Sequence, residues 1–214
     1  MKQEIIEIKK IINKFYDSIH EMPNHRDRSW EHCYRYFGKN NSKFDEDTAS
    51  LHLAFYLASW GMYRGSSFLL QRDYKFLKPI IPILKSSAVS INDKNYAEEI
   101  LSLREKIREK LAYIDEKTGK ERWATDTLVT KIILGTLGIV PAYDYYFIEG
   151  LRKSDLKITS SFGQQSLQEI QQFVKNHETD LKSIQQDIQQ KGGILYPFMK
   201  LIDMCFWQIG YDKK

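Results

Sequence analysis

The chain has 214 residues, of which 42% are hydrophobic and 28% are charged, so it carries enough apolar material for one folded core and is unlike a disordered chain. Only 11 glycines and 5 prolines are present, which argues against the turn-rich sandwiches and barrels. The net charge of +4 permits a polyanionic partner without requiring one. We predict an all-α fold, a single compact helical bundle of about eight helices spanning residues 1–214.

The cysteines and the hydropathy of the chain indicate whether it binds a metal or cofactor and in which compartment it lies. Cys33 and Cys205 lie among apolar or aromatic neighbours, and neither they nor the nearby histidines follow a zinc-binding spacing. We therefore predict no metal and no cofactor. The N-terminal segment has no apolar region of the signal-peptide type, and the apolar runs are shorter than a membrane span. These features predict a cytoplasmic protein with no membrane partner.

Apolar residues at three- and four-residue steps predict the helices in chain order. The predicted helices cover residues 2–20, 29–37, 48–71, 95–115, 123–138, 141–151, 164–190 and 196–209. Residues 74–84 contain Pro79 and Pro82, which indicates either a short broken helix or an apolar loop. Residues 116–121, with Gly119, form a predicted turn.

The predicted helix 48–71 is apolar or small on nearly every face, so it should lie at the centre of the fold. Ala54, Ala58, Gly61 and Gly65 form a stripe of small residues at helical spacing. Such a stripe predicts that a second backbone approaches closely on this side.

A second stripe on the same predicted helix consists of His52, Tyr56, Trp60 and Arg64 at strict four-residue spacing. One interpretation is a pocket wall, with an aromatic platform beside a cation that binds a phosphate or a carboxylate. The other is a core arginine that pairs with a buried acid, such as Asp144. The two interpretations merge if the arginine orients a catalytic carboxylate.

Residues 119–151 carry the pattern with the most chemical content. A glycine turn leads into a buried helix, then into a short connector with Pro141, then to Asp144 at the start of another helix. Tyrosines 143, 145 and 146 flank this aspartate. A carboxylate in such a setting can orient water or stabilise a developing cation, and the aromatic rings can stack on a base. Alternatively, Asp144 only favours the helix dipole and the tyrosines are core.

This segment resembles the core of helix-hairpin-helix DNA glycosylases. In that family a glycine-rich hairpin binds the DNA backbone, and an apolar-proline stretch precedes the catalytic aspartate. The matching residues here are Gly119, Lys120, Arg122 and Trp123 for the hairpin, Val140 and Pro141 for the stretch, and Asp144 for the aspartate. The resemblance implies DNA as the partner and Asp144 as the catalytic residue.

The segment departs from the family pattern in three ways. The hairpin has one glycine instead of Gly-x-Gly, and Asp144 follows Pro141 by three residues where two is usual. The lysine nucleophile of bifunctional members has no counterpart, because Lys131 is too close to Asp144 in sequence. The resemblance thus implies a monofunctional enzyme that uses water.

The same resemblance implies roles for the surrounding side chains in a base-excision reaction. Trp60, Tyr143 and Tyr146 would stack on the extruded base, and Arg64 would contact a phosphate or hold Asp144. Lys120 and Arg122 would grip the DNA backbone.

Two alternatives from other classes remain open. Arg26 and His32, separated by a short polar stretch, resemble the motif of HEPN ribonucleases, in which a histidine and an arginine act at a scissile phosphate without a metal. The second alternative is a non-catalytic helical module that binds a protein partner through its Gln-rich helix or an apolar face.

Overall fold

The computed structural model describes residues 2–38, 41–65, 67–115, 118–154 and 156–212, and it describes side chains from residue 7 onward. Across these ranges the chain forms ten α-helices and one small sheet. The helices are α1 (Lys2–Glu21), α2 (Ser29–Phe37), α3 (Glu46–Ser59), α4 (Ile81–Ser86), α5 (Tyr96–Lys110), α6 (Asp126–Thr136), α7 (Tyr145–Lys153), α8 (Gln164–Asn176), α9 (Glu178–Gln190) and α10 (Phe198–Asp212). Short 3₁₀ helices cover Arg26–Arg28, Phe68–Gln71 and Tyr74–Ile80.

The fold is mainly helical, as predicted, but the described residues hold ten helices instead of about eight. The predicted helix 164–190 is two helices, because the backbone of His177, with φ −118° and ψ 19°, leaves the helical region between α8 and α9. The proline-containing segment also forms α4. Pro82 lies in its first turn, where a missing N–H disrupts no helical hydrogen bond.

A β-hairpin connects α5 to α6. Its first strand falls within the predicted helix 95–115, which is therefore too long, since α5 ends at Lys110. Strands β1 (Tyr113–Ile114) and β2 (Glu121–Arg122) are antiparallel, with Tyr113 opposite Arg122 and Ile114 opposite Glu121. Residues 116 and 117 of the predicted turn lie outside the described residues.

The predicted helix 48–71 is too long, since α3 ends at Ser59. Gly61 follows with φ +76°, a left-handed conformation that ends the helix and that glycine adopts at little cost. Ala58 is exposed, and Gly65 lies beyond the helix. The close backbone approach predicted for this stripe of small residues is therefore wrong.

The close approach occurs between α7 and α10 instead. A Cβ atom at Gly150 would overlap the backbone carbonyl of Phe206, and a Cβ atom at Gly210 would overlap the carbonyl of Tyr146. The two backbones are thus in direct contact along this crossing. The contact fixes α7 against the second half of α10.

Helix α6 lies at the centre, with every residue from Leu128 to Thr136 buried. Large side chains from α2 and α3 are anchored on its backbone. The indole N–H of Trp30 donates to the carbonyl of Leu134 at 3.0 Å, and the hydroxyl of Tyr56 donates to the carbonyl of Lys131 at 3.2 Å. None of the helices in the described part of the chain combines the length and the apolarity needed to cross a lipid bilayer.

The glycine contact leads to a stability prediction. Gly150→Ala places a methyl group against the backbone of α10, which cannot move aside as a flexible side chain would. We expect the free energy of unfolding to fall by ~3 kcal/mol, measured by urea denaturation. Gly163→Ala is the control, because Gly163 has an extended backbone and no atom near the added methyl group. Equal denaturation midpoints for the two variants would contradict the packing described for α7 and α10.

Candidate functional site

A surface pocket of about 350 Å³ lies where the turn after α3 meets helices α6, α7 and α10. This volume is within the range of small-molecule sites in proteins. Its charged lining residues are Arg26, Asp27, Arg64, Lys131, Asp144 and Asp203. Its aromatic lining residues are Phe15, Trp60, Tyr145, Tyr146 and Trp207. The pocket thus combines six charged residues with five aromatic ones, so we take it as the candidate site.

Asp144 is the N-cap of α7. Its Oδ1 accepts a hydrogen bond from the backbone N–H of Phe147 at 3.1 Å, and its Oδ2 lies 3.2 Å from Nζ of Lys131. The side chain is 13% exposed, so it is shielded but reachable from the pocket. The capping bond fixes the carboxylate where the helix dipole favours negative charge.

The connector before Asp144 is held from two sides. The backbone N–H of Ala142 donates to Oδ1 of Asp203 at 3.0 Å, and the backbone N–H of Tyr143 donates to Oγ1 of Thr130 at 3.0 Å. One bond comes from α10 and the other from α6. The carboxylate of Asp144 thus lies at the end of a segment that both helices position.

Lys131 is a buried lysine in the middle of α6, and it joins the pocket to α3. Its ammonium donates to the backbone carbonyl of Trp60 at 3.0 Å, pairs with Asp144 at 3.2 Å and lies 5.7 Å from the centre of the Trp60 ring. Both polar partners are acceptors. In this arrangement Lys131 is an ammonium that holds the acid and the end of α3 together.

A second buried ion pair lies beneath the same ring. Lys200 Nζ is 2.8 Å from Asp203 Oδ2, both side chains are 2% exposed, and Nζ lies 4.4 Å from the centre of the Trp60 ring. Burial raises the pKa of Asp203, the charge and hydrogen bond of Lys200 oppose this, and the negative charge of Asp144 adds to it. Two lysines and two aspartates therefore surround Trp60.

Of the residues predicted for the glycosylase site, the structure brings four into this pocket, namely Trp60, Arg64, Asp144 and Tyr146. The cation that pairs with Asp144 is Lys131, not Arg64. Arg64 is exposed, and its guanidinium folds over Gly61, where a Cβ atom would lie 3.0 Å from Nε. Among the described residues it has no ion-pair partner, so its charge is available at the pocket rim.

Tyr143 lies in the core instead of the pocket wall. It is 1% exposed, its hydroxyl is 2.7 Å from Oγ of Ser166, and its ring packs between Phe147 and Phe162. The structure thus favours the core interpretation for this tyrosine, and the base-stacking role predicted for it finds no support in the geometry.

The predicted DNA-backbone residues lie outside the pocket on the exposed hairpin. Gly119 has φ +65° in the turn, Lys120 is exposed beside it, and Nε of Arg122 is 3.9 Å from Oδ2 of Asp115. The hairpin continues into α6, whose residue Thr127 lines the pocket.

Arg26 and His32, the residues of the ribonuclease alternative, lie in different places. Arg26 lines the pocket beside Asp27, with Nε 3.5 Å from Oδ1 of that residue. His32 is exposed and lines a separate open depression with Tyr36 and His52. The structure does not bring the two residues together in one pocket.

Three charged residues of the site were missed from the sequence: Lys131, Lys200 and Asp203. A signal was present, because each interrupts an otherwise apolar helix. Lys131 is the one charged residue in the run 127–138, and Lys200 and Asp203 are three residues apart in the apolar segment 196–209. A charge at a buried helical position needs a partner, and this requirement points to the ion pairs.

Comparison with known proteins gives no family for the chain, since no protein-family model, curated protein or solved structure matches it. Inference about function therefore starts from the chemistry of the pocket.

The Lys131–Asp144 pair leads to a second stability prediction. Lys131→Met leaves the shielded carboxylate without its cation, and we expect unfolding free energy to fall by ~3 kcal/mol. The double variant with Asp144→Asn should regain part of this loss, because no charge is stranded and asparagine still caps α7. Urea denaturation of the wild type, both single variants and the double variant measures the coupling. Losses that simply add would show that the two groups do not interact.

Proposed function

We propose that the chain is a DNA-binding enzyme of the glycosylase type, which hydrolyses the N-glycosidic bond of one base with the help of Asp144. The observation that carries this proposal is the position of Asp144. Its carboxylate is held at a helix N-terminus, inside a pocket whose walls are aromatic and whose rim carries free positive charge.

The carboxylate suits the charge that develops in this reaction. The bond between the sugar carbon and the base nitrogen breaks with its electron pair leaving on the base, and a fixed carboxylate stabilises the positive charge that develops on the sugar. Water then attacks the sugar carbon and gives up a proton to the carboxylate, and this proton balances the negative charge of the departing base. Among the described residues each oxygen of Asp144 has one partner, Phe147 N–H for Oδ1 and Lys131 for Oδ2. A carboxylate oxygen accepts two hydrogen bonds, so capacity remains to accept a proton from water.

The pocket walls suit a flat, unstacked base. Trp60 and Tyr146 are partly exposed rings on two sides of the pocket, so a base can stack against them. Arg64 at the rim has no protein counter-ion among the described residues, and it suits a flanking phosphate. Lys120 and Arg122 on the exposed hairpin would bind the DNA backbone further away.

Water suits the geometry better than an amine nucleophile. Lys131 is the candidate amine in the pocket, but its Nζ donates to the carbonyl of Trp60 and pairs with Asp144. An ammonium in this arrangement has no lone pair to attack the sugar carbon. Lys131 therefore positions Asp144, and reduction with borohydride should trap no covalent complex with DNA.

A protein-interaction module is the second candidate, because α3 exposes two large apolar side chains one helical turn apart. Leu51 is 53% exposed and Phe55 is 61% exposed. An exposed apolar pair on one helix face is a common contact surface. The ribonuclease alternative has no comparable support, since Arg26 and His32 line different depressions.

The test is incubation of the protein with DNA that carries modified bases, followed by alkali to reveal abasic sites. Asp144→Asn should lower the rate by about 10²- to 10⁴-fold, because it removes the negative charge and the proton acceptor while keeping the helix cap. Asp45→Asn is the matched control, since Asp45 also caps a helix, α3, but lies outside the pocket lining.

Retained activity in Asp144→Asn would refute the role of Asp144. The complete lack of abasic sites on every modified DNA, together with no salt-dependent DNA binding, would refute the proposed glycosylase activity and favour the protein-interaction module. Loss of activity in both aspartate variants would show that the effect is not specific to the carboxylate in the pocket.

A further inference from the structure

A row of four aromatic rings runs from the pocket onto the surface of α7 and α10. Tyr146 is at its centre, with ring-centre distances of 5.3 Å to Tyr145, 5.1 Å to Trp207 and 5.5 Å to Tyr211. Trp207 and Tyr211 are stacked at 4.9 Å with their planes 12° apart. We call these four residues the aromatic row.

The aromatic row is continuous with the pocket and open to solvent. Tyr145, Tyr146 and Trp207 line the pocket, and Tyr211 extends the row beyond it. Tyr145 is 66% exposed and Tyr211 is 50% exposed. The glycine contact of α7 with α10 brings the rings together, because it lets the two helices approach closely enough for these side chains to meet.

Exposed rings beside a pocket match the flat faces of nucleic acid bases. Every base has a flat π-face, so rings in succession bind bases with little dependence on sequence. Arg64 lines the same pocket, is exposed and has no ion-pair partner among the described residues, so it matches a phosphate between such bases. Arg26 also lines the pocket, but its Nε lies 3.5 Å from Oδ1 of Asp27.

We infer that the substrate strand is unpaired where it enters the pocket, and that nucleotides adjacent to the target base stack on the aromatic row. This inference rests on the proposed function and names its substrate class as single-stranded DNA. In a duplex the bases beside the target remain stacked on their neighbours, so their faces reach an exposed ring only after they unstack. An unpaired strand has free faces and lets the target base enter the pocket without breaking a base pair.

The test compares the binding of a labelled, unstructured DNA single strand with that of a duplex of the same sequence, by fluorescence anisotropy at fixed salt. The variants are Tyr145→Ala and Tyr211→Ala. Phe55→Ala is the matched control, since it removes a ring that is 61% exposed but lies on α3, outside the pocket lining. Tyr145→Phe keeps the ring and tests whether stacking or the hydroxyl matters.

The wild type should bind the single strand more tightly than the duplex. Each tyrosine-to-alanine variant should weaken single-strand binding about tenfold, while Phe55→Ala and Tyr145→Phe bind as the wild type does. Tyrosine variants that bind like Phe55→Ala, or a wild type that prefers the duplex, would overturn the inference.

The abasic-site assay on the same proteins separates this inference from the proposed function. Abasic sites that depend on Asp144, with no effect of the tyrosine variants on strand binding, would overturn the aromatic row and leave the glycosylase proposal intact. Tyrosine-dependent strand binding without any abasic sites would overturn the glycosylase and support the row as a surface for single strands.

Discussion

The backbone contact between α7 and α10 is the constraint from which the candidate site follows. Gly150 and Gly210 have no side chain at the crossing, so the two helices pack with their backbones touching. This closeness lets Asp203 of α10 accept a hydrogen bond from Ala142, in the connector that ends at Asp144. The same contact gathers the aromatic side chains of both helices on one surface. A wider crossing would separate the acid from its support and the rings from one another.

Two buried ion pairs are the second feature that organises the site, and the lysine of each contacts Trp60. Lys131 holds the carbonyl of Trp60 and the carboxylate of Asp144, while Lys200 lies under the ring of Trp60 and pairs with Asp203. Buried ion pairs add little net stability, because desolvation offsets most of their attraction. Their use here is geometric, since each fixes one wall of the pocket against α6 or α10. The proposed chemistry needs such a fixed carboxylate, which requires little reorganisation as the sugar becomes charged.

Local features were predictable from the sequence, and long-range ones were not. The position of Asp144 at a helix N-terminus follows from capping chemistry, which depends on neighbours in the chain. The helix predicted to begin at Pro141 begins instead at Tyr145, because long-range hydrogen bonds from Asp203 and Thr130 hold the residues between them as a connector. The overlong helix 48–71 shows the limit, because the left-handed turn at Gly61 interrupts a pattern that periodicity alone would continue. The role of Lys131 was missed because its separation from Asp144 was judged along the sequence alone. In the structure the connector folds back, so that Nζ of Lys131 lies 3.2 Å from Oδ2 of Asp144. Tyr143 was given a pocket role from sequence proximity, yet its backbone bond to Thr130 turns the side chain into the core.

The central claim is that Asp144 faces a developing positive charge on a sugar. The most direct measurement is the affinity for a DNA strand with a cationic pyrrolidine in place of one sugar, against the same strand with a neutral tetrahydrofuran. An enzyme binds a mimic of the transition state more tightly than it binds the substrate in its ground state. The wild type should prefer the cationic strand by about 10²-fold or more, and Asp144→Asn should lose that preference. Equal affinity of the wild type for the two strands would contradict the account, because the pocket would then show no complementarity to the charge that the reaction creates.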